Sequence, residues 1–359
     1  MRAGNWINRR GVLVAIYFLA TIQFAWCYLR LTLHYVRLET YEYGNERMPF
    51  QGRMLMMVPM RWASQSSLVS WLASSSKLTP FWFQKPLTPE ALVEAVIDVG
   101  CLLLAGWATV KIYKASSSRQ LLTPFIYPLF LVVCVATYIM HVVQNFSFLY
   151  DLPSLAFFSV AMYLMYFQKH WAWFAALFCV ATVNRETTLL LLPLYMLNEA
   201  MQNGRLVWSR VLRWRTLAVV MPLGVLWAAW QIYVQRLFIY NPSEFYPRFD
   251  WNVKSLLLPL AWPQLLSAGG YLLLFVAAMH HRVADPRLRA WLWLLPVWLL
   301  FMFSYGILIE TRIYGELIPL IVCATAIICE EMLLVRMGVL LRRPVLAEVD
   351  RAAEMRKAA

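Results

Sequence analysis

The chain has 359 residues, of which 61% are hydrophobic and only 14% charged, with a net charge of +13. A soluble domain carries about a quarter charged residues, so this composition points to lipid as the main solvent and excludes a soluble enzyme with a simple anchor. The positive charge does not point to nucleic acid, because the basic residues fall in short clusters between apolar stretches, where orienting charges of a membrane protein sit.

About 20 apolar residues are needed to cross a bilayer. Taken in chain order, apolar stretches at 11–32, 91–112, 122–142, 152–167, 171–184, 187–200, 216–236, 258–280, 291–309 and 316–335 predict an all-α transmembrane bundle. That makes about ten spans, several of them short. Residues 1–341 form one membrane domain, and 342–359 form a short basic tail. The first stretch has no small-residue cleavage site after it and reads as a retained span. Residues 33–90 form a long loop. Its segments around Met54–Val58 and Trp62–Leu72 are too short and too polar to cross, and fit helices lying in the interface. The pair 171–184 and 187–200 is interrupted by Asn184-Arg185-Glu186, either a tight hairpin or a broken helix.

The basic clusters fix an orientation. Arg2, Arg9 and Arg10 precede the first span. Lys111, Lys114 and Arg119, then Lys169 and His170, then Arg205, Arg210, Arg213 and Arg215 follow even-numbered spans. So do Arg282, Arg287 and Arg289, and finally Arg336, Arg342 and Arg343. With the ten spans placed as above all six clusters share one side, which the positive-inside rule makes cytoplasmic together with both termini. The protein is then a multi-pass membrane protein, of the inner membrane if bacterial. The six cysteines, at 27, 101, 134, 179, 323 and 329, lie in apolar segments without C-x-x-C spacing, which argues against a disulfide framework or a zinc site.

Ionisable groups at membrane depth mark functional sites. On the outer side these are Glu90, Glu94 and Asp98, spaced by four on one helix face. Asp98 lies about 12 Å into the second span at 1.5 Å per residue, a cavity position. Asp151 stands at the start of the fourth span, where a helix N-cap is the alternative reading. Asn184-Arg185-Glu186 and Glu310-Thr311-Arg312 with Glu316 place two arginine–carboxylate groups on the same side; a local ion pair in a turn is the plainer account of each. The first loop adds Glu39, Glu42, Glu46, Arg47, Arg53 and Arg61 among Tyr35, Tyr41, Tyr43 and Phe50, aromatics that suit sugar faces and equally suit a membrane interface. The planar fork of arginine matches phosphate, so Arg47, Arg53, Arg185 and Arg312 are the candidate phosphate ligands. Glu46, Asp151, Glu186 and Glu310 are candidate general bases or catalytic carboxylates, and Asp98 and Glu316 candidate cavity residues. The carboxylates are oxygen ligands suited to Mg²⁺ or Mn²⁺, but no spacing singles out an ion.

A cytoplasmic N-terminus, a long first external loop with interfacial helices, many spans and outer acidic and basic groups together resemble the polytopic glycosyltransferases of the GT-C superfamily. The Wzy- and EpsG-type polysaccharide polymerases look similar. The resemblance implies a polyprenyl-phosphate-linked sugar as donor, a glycan or glycolipid as acceptor, membrane lipid as surroundings, and an acidic residue of the first loop (Glu39, Glu42 or Glu46) in the reaction. It implies a part in cell-envelope polysaccharide or glycolipid assembly. The two adjacent acidic residues frequent in that loop are missing here. Two other classes fit the same features: a transporter or flippase for an anionic or lipid-linked solute, and a non-catalytic subunit of an envelope-assembly complex. The latter predicts that every arginine has a carboxylate partner and that no open cavity exists.

Overall fold

The computed structural model describes residues 4–75, 87–140, 146–244, 246–336 and 338, with side chains from residue 11 onward. It is 76% helical with almost no sheet. In chain order the elements are α1 (Gly4–Leu31), β1 (Leu33–His34), α2 (Leu38–Glu42), α3 (Met57–Gln65), α4 (Ser67–Ser74), α5 (Pro89–Ser116), α6 (Thr123–Tyr138), β2 (Phe146–Ser147), α7 (Asp151–Tyr166) and α8 (Trp171–Asn184). A 3₁₀ turn, Glu186–Leu190, leads into α9 (Leu191–Glu199), and the strands β3 (Met201–Gln202) and β4 (Arg205–Leu206) form a hairpin. Then come α10 (Trp214–Leu237), α11 (Phe249–Leu257), α12 (Trp262–Leu266), α13 (Leu272–Ala278), α14 (Pro286–Trp291) and α15 (Leu294–Tyr305). A 3₁₀ helix, Thr311–Leu317, leads into α16 (Ile318–Arg336).

Five helical segments are long and apolar enough to cross a membrane: Gly11–Leu31, Pro89–Ser116, Trp214–Leu237, Pro286–Tyr305 and Thr311–Arg336. The apolar helices Thr123–Tyr138, Asp151–Tyr166 and Trp171–Asn184 are shorter. This is the architecture of a multi-pass membrane protein, but among the described residues five crossing-length helices stand where the apolar stretches predict ten. Two stretches account for part of the difference. Residues 187–200 divide between a 3₁₀ turn and the nine-residue α9. Residues 258–280 break into α12 and α13 around Gly269, Gly270 and Tyr271, three successive residues with positive φ (58°, 67° and 65°). Only a glycine pair makes such a reversal cheap. A methyl group at Gly270 would meet Val133 and Ala136 of α6 at ordinary van der Waals distance, so the backbone conformation and not space calls for glycine there. The predicted tail, 342–359, and part of the predicted loop, 76–86, lie outside the described residues.

Helix boundaries follow local chemistry. Thr88 accepts a hydrogen bond from the Ala91 N–H ahead of Pro89, starting α5; Ser66 does the same for α4 through Val69, and Asp285 for α14 through Leu288. At the centre, α5 lies along α7 and also touches α1, α6 and α16. Its buried face is rich in small residues (Ala105, Gly106, Ala108, Thr109), and that of α7 in Ser154, Ala156, Ser159 and Ala161. Without a hydrophobic drive between helices in lipid, close backbone approach supplies the packing energy. The ring of Tyr127 lies directly over Gly106, where a side chain would collide with it.

The first loop folds over one end of this bundle. Its strand β1 pairs in parallel with β2. Val36, Tyr41, Phe50, Met56 and Met60 build a small second core with Phe148, Leu149 and Tyr150. The helices α3 and α4 bury Met60, Ala63, Val69 and Ala73 and expose Val58, Trp62, Leu68 and Trp71. That is the two-faced pattern of interfacial helices. From this loop core Phe50 and Phe148 line the candidate site, with the N-terminus of α7 behind them.

Candidate functional site

A cavity of about 1000 Å³ opens beneath the first loop. Four segments distant in sequence meet there: residues 48–53 of the first loop, 182–187 after α8, 238–248 between α10 and α11, and 306–313 after α15. Its lining is mixed: Arg53, Arg185, Glu186, Thr187, Glu310 and Arg312 contribute polar groups, and Trp227, Val234, Phe238, Ile239, Phe301 and Met302 contribute apolar surface.

The stretch Asn184-Arg185-Glu186-Thr187 is the pivot. Arg185 leaves α8 in an extended conformation (φ −161°, ψ 145°), which ends the helix and turns each successive side chain toward a different neighbour. Asn184 Nδ2 donates to the Tyr150 carbonyl at 3.0 Å and to Ser154 Oγ at 2.8 Å, tying α8 to the start of α7. Arg185 Nη1 lies 3.1 Å from both Asp151 Oδ1 and Glu316 Oε1. Both Glu186 oxygens accept from Arg53, Oε2 from Nε at 2.9 Å and Oε1 from Nη2, a bidentate pair. Its carbonyl accepts from Trp227 Nε1 at 3.0 Å. Thr187 donates to Glu316 Oε1 at 2.8 Å, and Thr188 closes the turn on the Ala181 carbonyl at 2.9 Å.

The last constellation approaches from the opposite side. Arg312 Nη2 lies 2.6 Å from Glu310 Oε2 and Nη1 3.7 Å from Asp151 Oδ1, with the guanidinium 3.7 Å from the Phe148 ring centre. Arg53 lies 4.1 Å above the Tyr150 ring. Aromatic faces thus hold the arginine planes in place, while Asp151, fully buried, joins Arg185 to Arg312. Asp151 is the first residue of α7 and not its cap, a position held by Tyr150. Its charge therefore serves the arginines and the helix N-terminus together. Gly315, between Arg312 and Glu316, packs under the Tyr138 hydroxyl so closely that any β-carbon would overlap it. Gly315→Ala is expected to lower stability by about 1–3 kcal/mol by pushing this 3₁₀ helix off α6, measured as a lower thermal-unfolding midpoint.

Of the ten sequence-predicted site residues, Arg53, Arg185, Glu186, Glu310 and Arg312 line the cavity. Asp151 and Glu316 lie directly behind them, at 0% and 1% exposure, and act on the cavity only through Arg185, Arg312 and Thr187. Three candidates take other places. Glu46 is buried in the first loop, where it accepts from the Arg37 N–H (3.1 Å), Thr40 Oγ1 (2.5 Å) and the Arg47 N–H (3.1 Å); it holds the turn together and does not line the cavity. Arg47 stands at the rim, paired with Glu244 at 2.6 Å and stacked 4.3 Å from the Tyr35 ring. Asp98 is buried within α5, away from the cavity lining, and its Oδ2 has no hydrogen-bond partner. The related Glu94 lies 3.5 Å from His34 Nε2.

Two residues of the 238–248 segment were not singled out from the sequence: Glu244 and Arg248 both line the cavity. Tyr35 donates to Glu244 Oε2 at 3.2 Å; burial and the nearby Glu244 charge push the Tyr35 hydroxyl above its usual range, so it stays a donor. The signal available was that this loop and the other charged loops fall on one side of the chain's spans. Among the described residues, no three His, Cys, Asp or Glu side chains gather closely enough to hold a metal ion. No known protein family, curated protein or solved structure matches this chain.

Proposed function

We propose that this protein is a membrane glycosyltransferase that moves a sugar from an isoprenoid-phosphate donor to a glycan or glycolipid acceptor in cell-envelope assembly. The observation that carries this reading is one cavity lined by both an arginine–carboxylate cluster and large apolar side chains. A ligand complementary to it has an anionic head and a long apolar chain. On this reading the basic clusters keep both termini cytoplasmic, and the cavity faces the opposite side.

The geometry ranks the carboxylates as general bases. Asp151 and Glu46 do not line the cavity. Glu186 has both oxygens bound by Arg53, and Glu244 has one taken by Arg47 and one by Tyr35. Glu310 is engaged by Arg312 through Oε2 alone. Glu310 then takes the proton of the acceptor hydroxyl as its oxygen bonds to the anomeric carbon and the carbon–oxygen bond to phosphate breaks. Positive charge at the cavity stabilises the isoprenoid phosphate that leaves with the bonding pair. The test is transfer of labelled sugar from synthetic isoprenoid-phosphate sugars by the purified protein in nanodiscs. Product formation supports the reading, and no transfer across a donor panel rejects it.

A second reading, transport of a lipid-linked or anionic solute, draws support from two broken segments, one at Asn184–Glu186 and one between α12 and α13. Movement of a labelled isoprenoid phosphate across sealed vesicles without sugar transfer favours it.

A further inference from the structure

Four arginines line the cavity: Arg53, Arg185, Arg248 and Arg312. Three are paired with carboxylates: Arg53 with Glu186, Arg185 with Asp151 and Glu316, and Arg312 with Glu310. Among the described residues, no carboxylate lies within ion-pair distance of Arg248. Its guanidinium instead donates to two neutral acceptors, the Tyr246 hydroxyl and, at 3.4 Å, the Glu244 carbonyl, and lies 3.7 Å from the Tyr246 ring centre. Arg248 therefore brings to the cavity a positive charge that no carboxylate among the described residues pairs with directly.

The backbone around it is firmly held. The Met48 N–H donates to the Pro242 carbonyl at 2.7 Å, and the Glu244 N–H to the Met48 carbonyl at 2.8 Å. Asn241 Nδ2 donates to the Gly44 and Glu46 carbonyls at 2.9 and 2.6 Å. At the other end the Arg248 N–H donates to the Ser304 carbonyl of α15 at 2.8 Å. Residues 241–244 and 246–248 are thus anchored on the first loop at one end and on α15 at the other, as a strap with Arg248 at its α15 end.

We propose that Arg248 is the seat of the ligand's phosphate-type oxyanion, at the strap, while Arg53, Arg185 and Arg312 form a carboxylate-paired scaffold in the same cavity. An oxyanion reaching Arg248 completes a charge that is otherwise unpaired; one reaching Arg53 or Arg185 must first displace a bound carboxylate. The proposal rests on the cavity and its ion pairs, and it supplies the head-group site for the transferase reading above.

The experiment measures binding of farnesyl phosphate, farnesol and inorganic phosphate to the full-length protein in nanodiscs by thermophoresis. The variants are Arg248→Gln, Arg248→Lys and, as a charge-matched control, Arg236→Gln, which removes an exposed charge outside the cavity lining. Arg248→Gln is expected to weaken phosphate-bearing probes on the order of ten- to a hundredfold, as loss of a charged hydrogen-bond donor does. Arg248→Lys should fall between, and Arg236→Gln should bind as wild type. Tighter binding of farnesyl phosphate than of phosphate, with farnesol weak, marks a lipid head group as the source; equal binding marks a free oxyanion. Wild-type-like binding by Arg248→Gln, an equal loss in Arg236→Gln, or no binding of either phosphate by the wild type overturns the proposal. Arg248-dependent binding without sugar transfer keeps the seat and removes the transferase reading; sugar transfer with unchanged binding in Arg248→Gln does the reverse.

Discussion

Arg185→Leu is expected to destabilise the protein by about 3–5 kcal/mol, enough to abolish accumulation of a folded, monodisperse species. Arg185 is 5% exposed and pairs simultaneously with Asp151 and Glu316, at 0% and 1% exposure. Removing it leaves Asp151 with Arg312 at 3.7 Å and Glu316 with the Thr187 hydroxyl, two carboxylates with too few partners and no access to water. The cost comes from this uncompensated charge more than from the lost attraction. Adding Asp151→Asn and Glu316→Gln to Arg185→Leu should therefore recover part of the loss. Arg185→Lys keeps the charge but loses the planar fork that reaches two carboxylates at once, and should fall between. Thermal unfolding with size-exclusion profiles reads all of these. An Arg185→Leu protein as stable as wild type would show that the triad contributes nothing to the fold.

Glu310→Gln is expected to lower sugar transfer by about 10²–10⁴-fold, the usual contribution of a general base, while the folded yield stays close to wild type. The fold tolerates this change because Arg312 retains Asp151 and its place against the Phe148 ring, and because the amide is isosteric with the carboxylate. Glu186→Gln makes a useful contrast. There the change breaks a bidentate pair with a largely buried Arg53, so it should cost stability as well as activity. Rates measured in nanodiscs, normalised to folded protein, separate the two. If Glu310→Gln transfers sugar at the wild-type rate and Glu186→Gln does not, the base is Glu186 and the ranking by free oxygen is wrong.

These expectations share one physical feature. The arginines gathered at the cavity answer two opposed readings of the sequence at once. As a structural subunit would require, Arg53, Arg185 and Arg312 all have carboxylate partners. As a binding protein would require, they border an open cavity that also has apolar lining residues. Pairing holds the side chains in one geometry at low dielectric, and that preorganisation is what a site for a charged ligand needs. Arg248, outside the pairing, is the cavity arginine with no carboxylate within ion-pair distance among the described residues.

Composition and apolar runs by themselves determined that the chain is helical, with several helices apolar enough to cross a membrane as in a multi-pass membrane protein, because the solvent sets those patterns residue by residue. They also picked out Arg53, Arg185, Glu186, Glu310 and Arg312, since a charge near an apolar segment is costly wherever the chain runs. Among the described residues five helices have crossing length where hydropathy predicts ten spans, because hydropathy registers apolar residues and not whether the backbone stays helical; the Gly269–Tyr271 break and the 3₁₀ turn after Arg185 are backbone events. Tertiary structure alone decided which charges meet. Glu46 and Arg53 are seven positions apart in one loop, yet one secures a turn and the other reaches Glu186, 133 residues away. Asp151 proved to be a hub and not a cap because two arginines from different segments converge on one oxygen. Arg248 carries no mark in the sequence, since an unpaired charge is defined by the neighbours it lacks, and only the fold assigns neighbours.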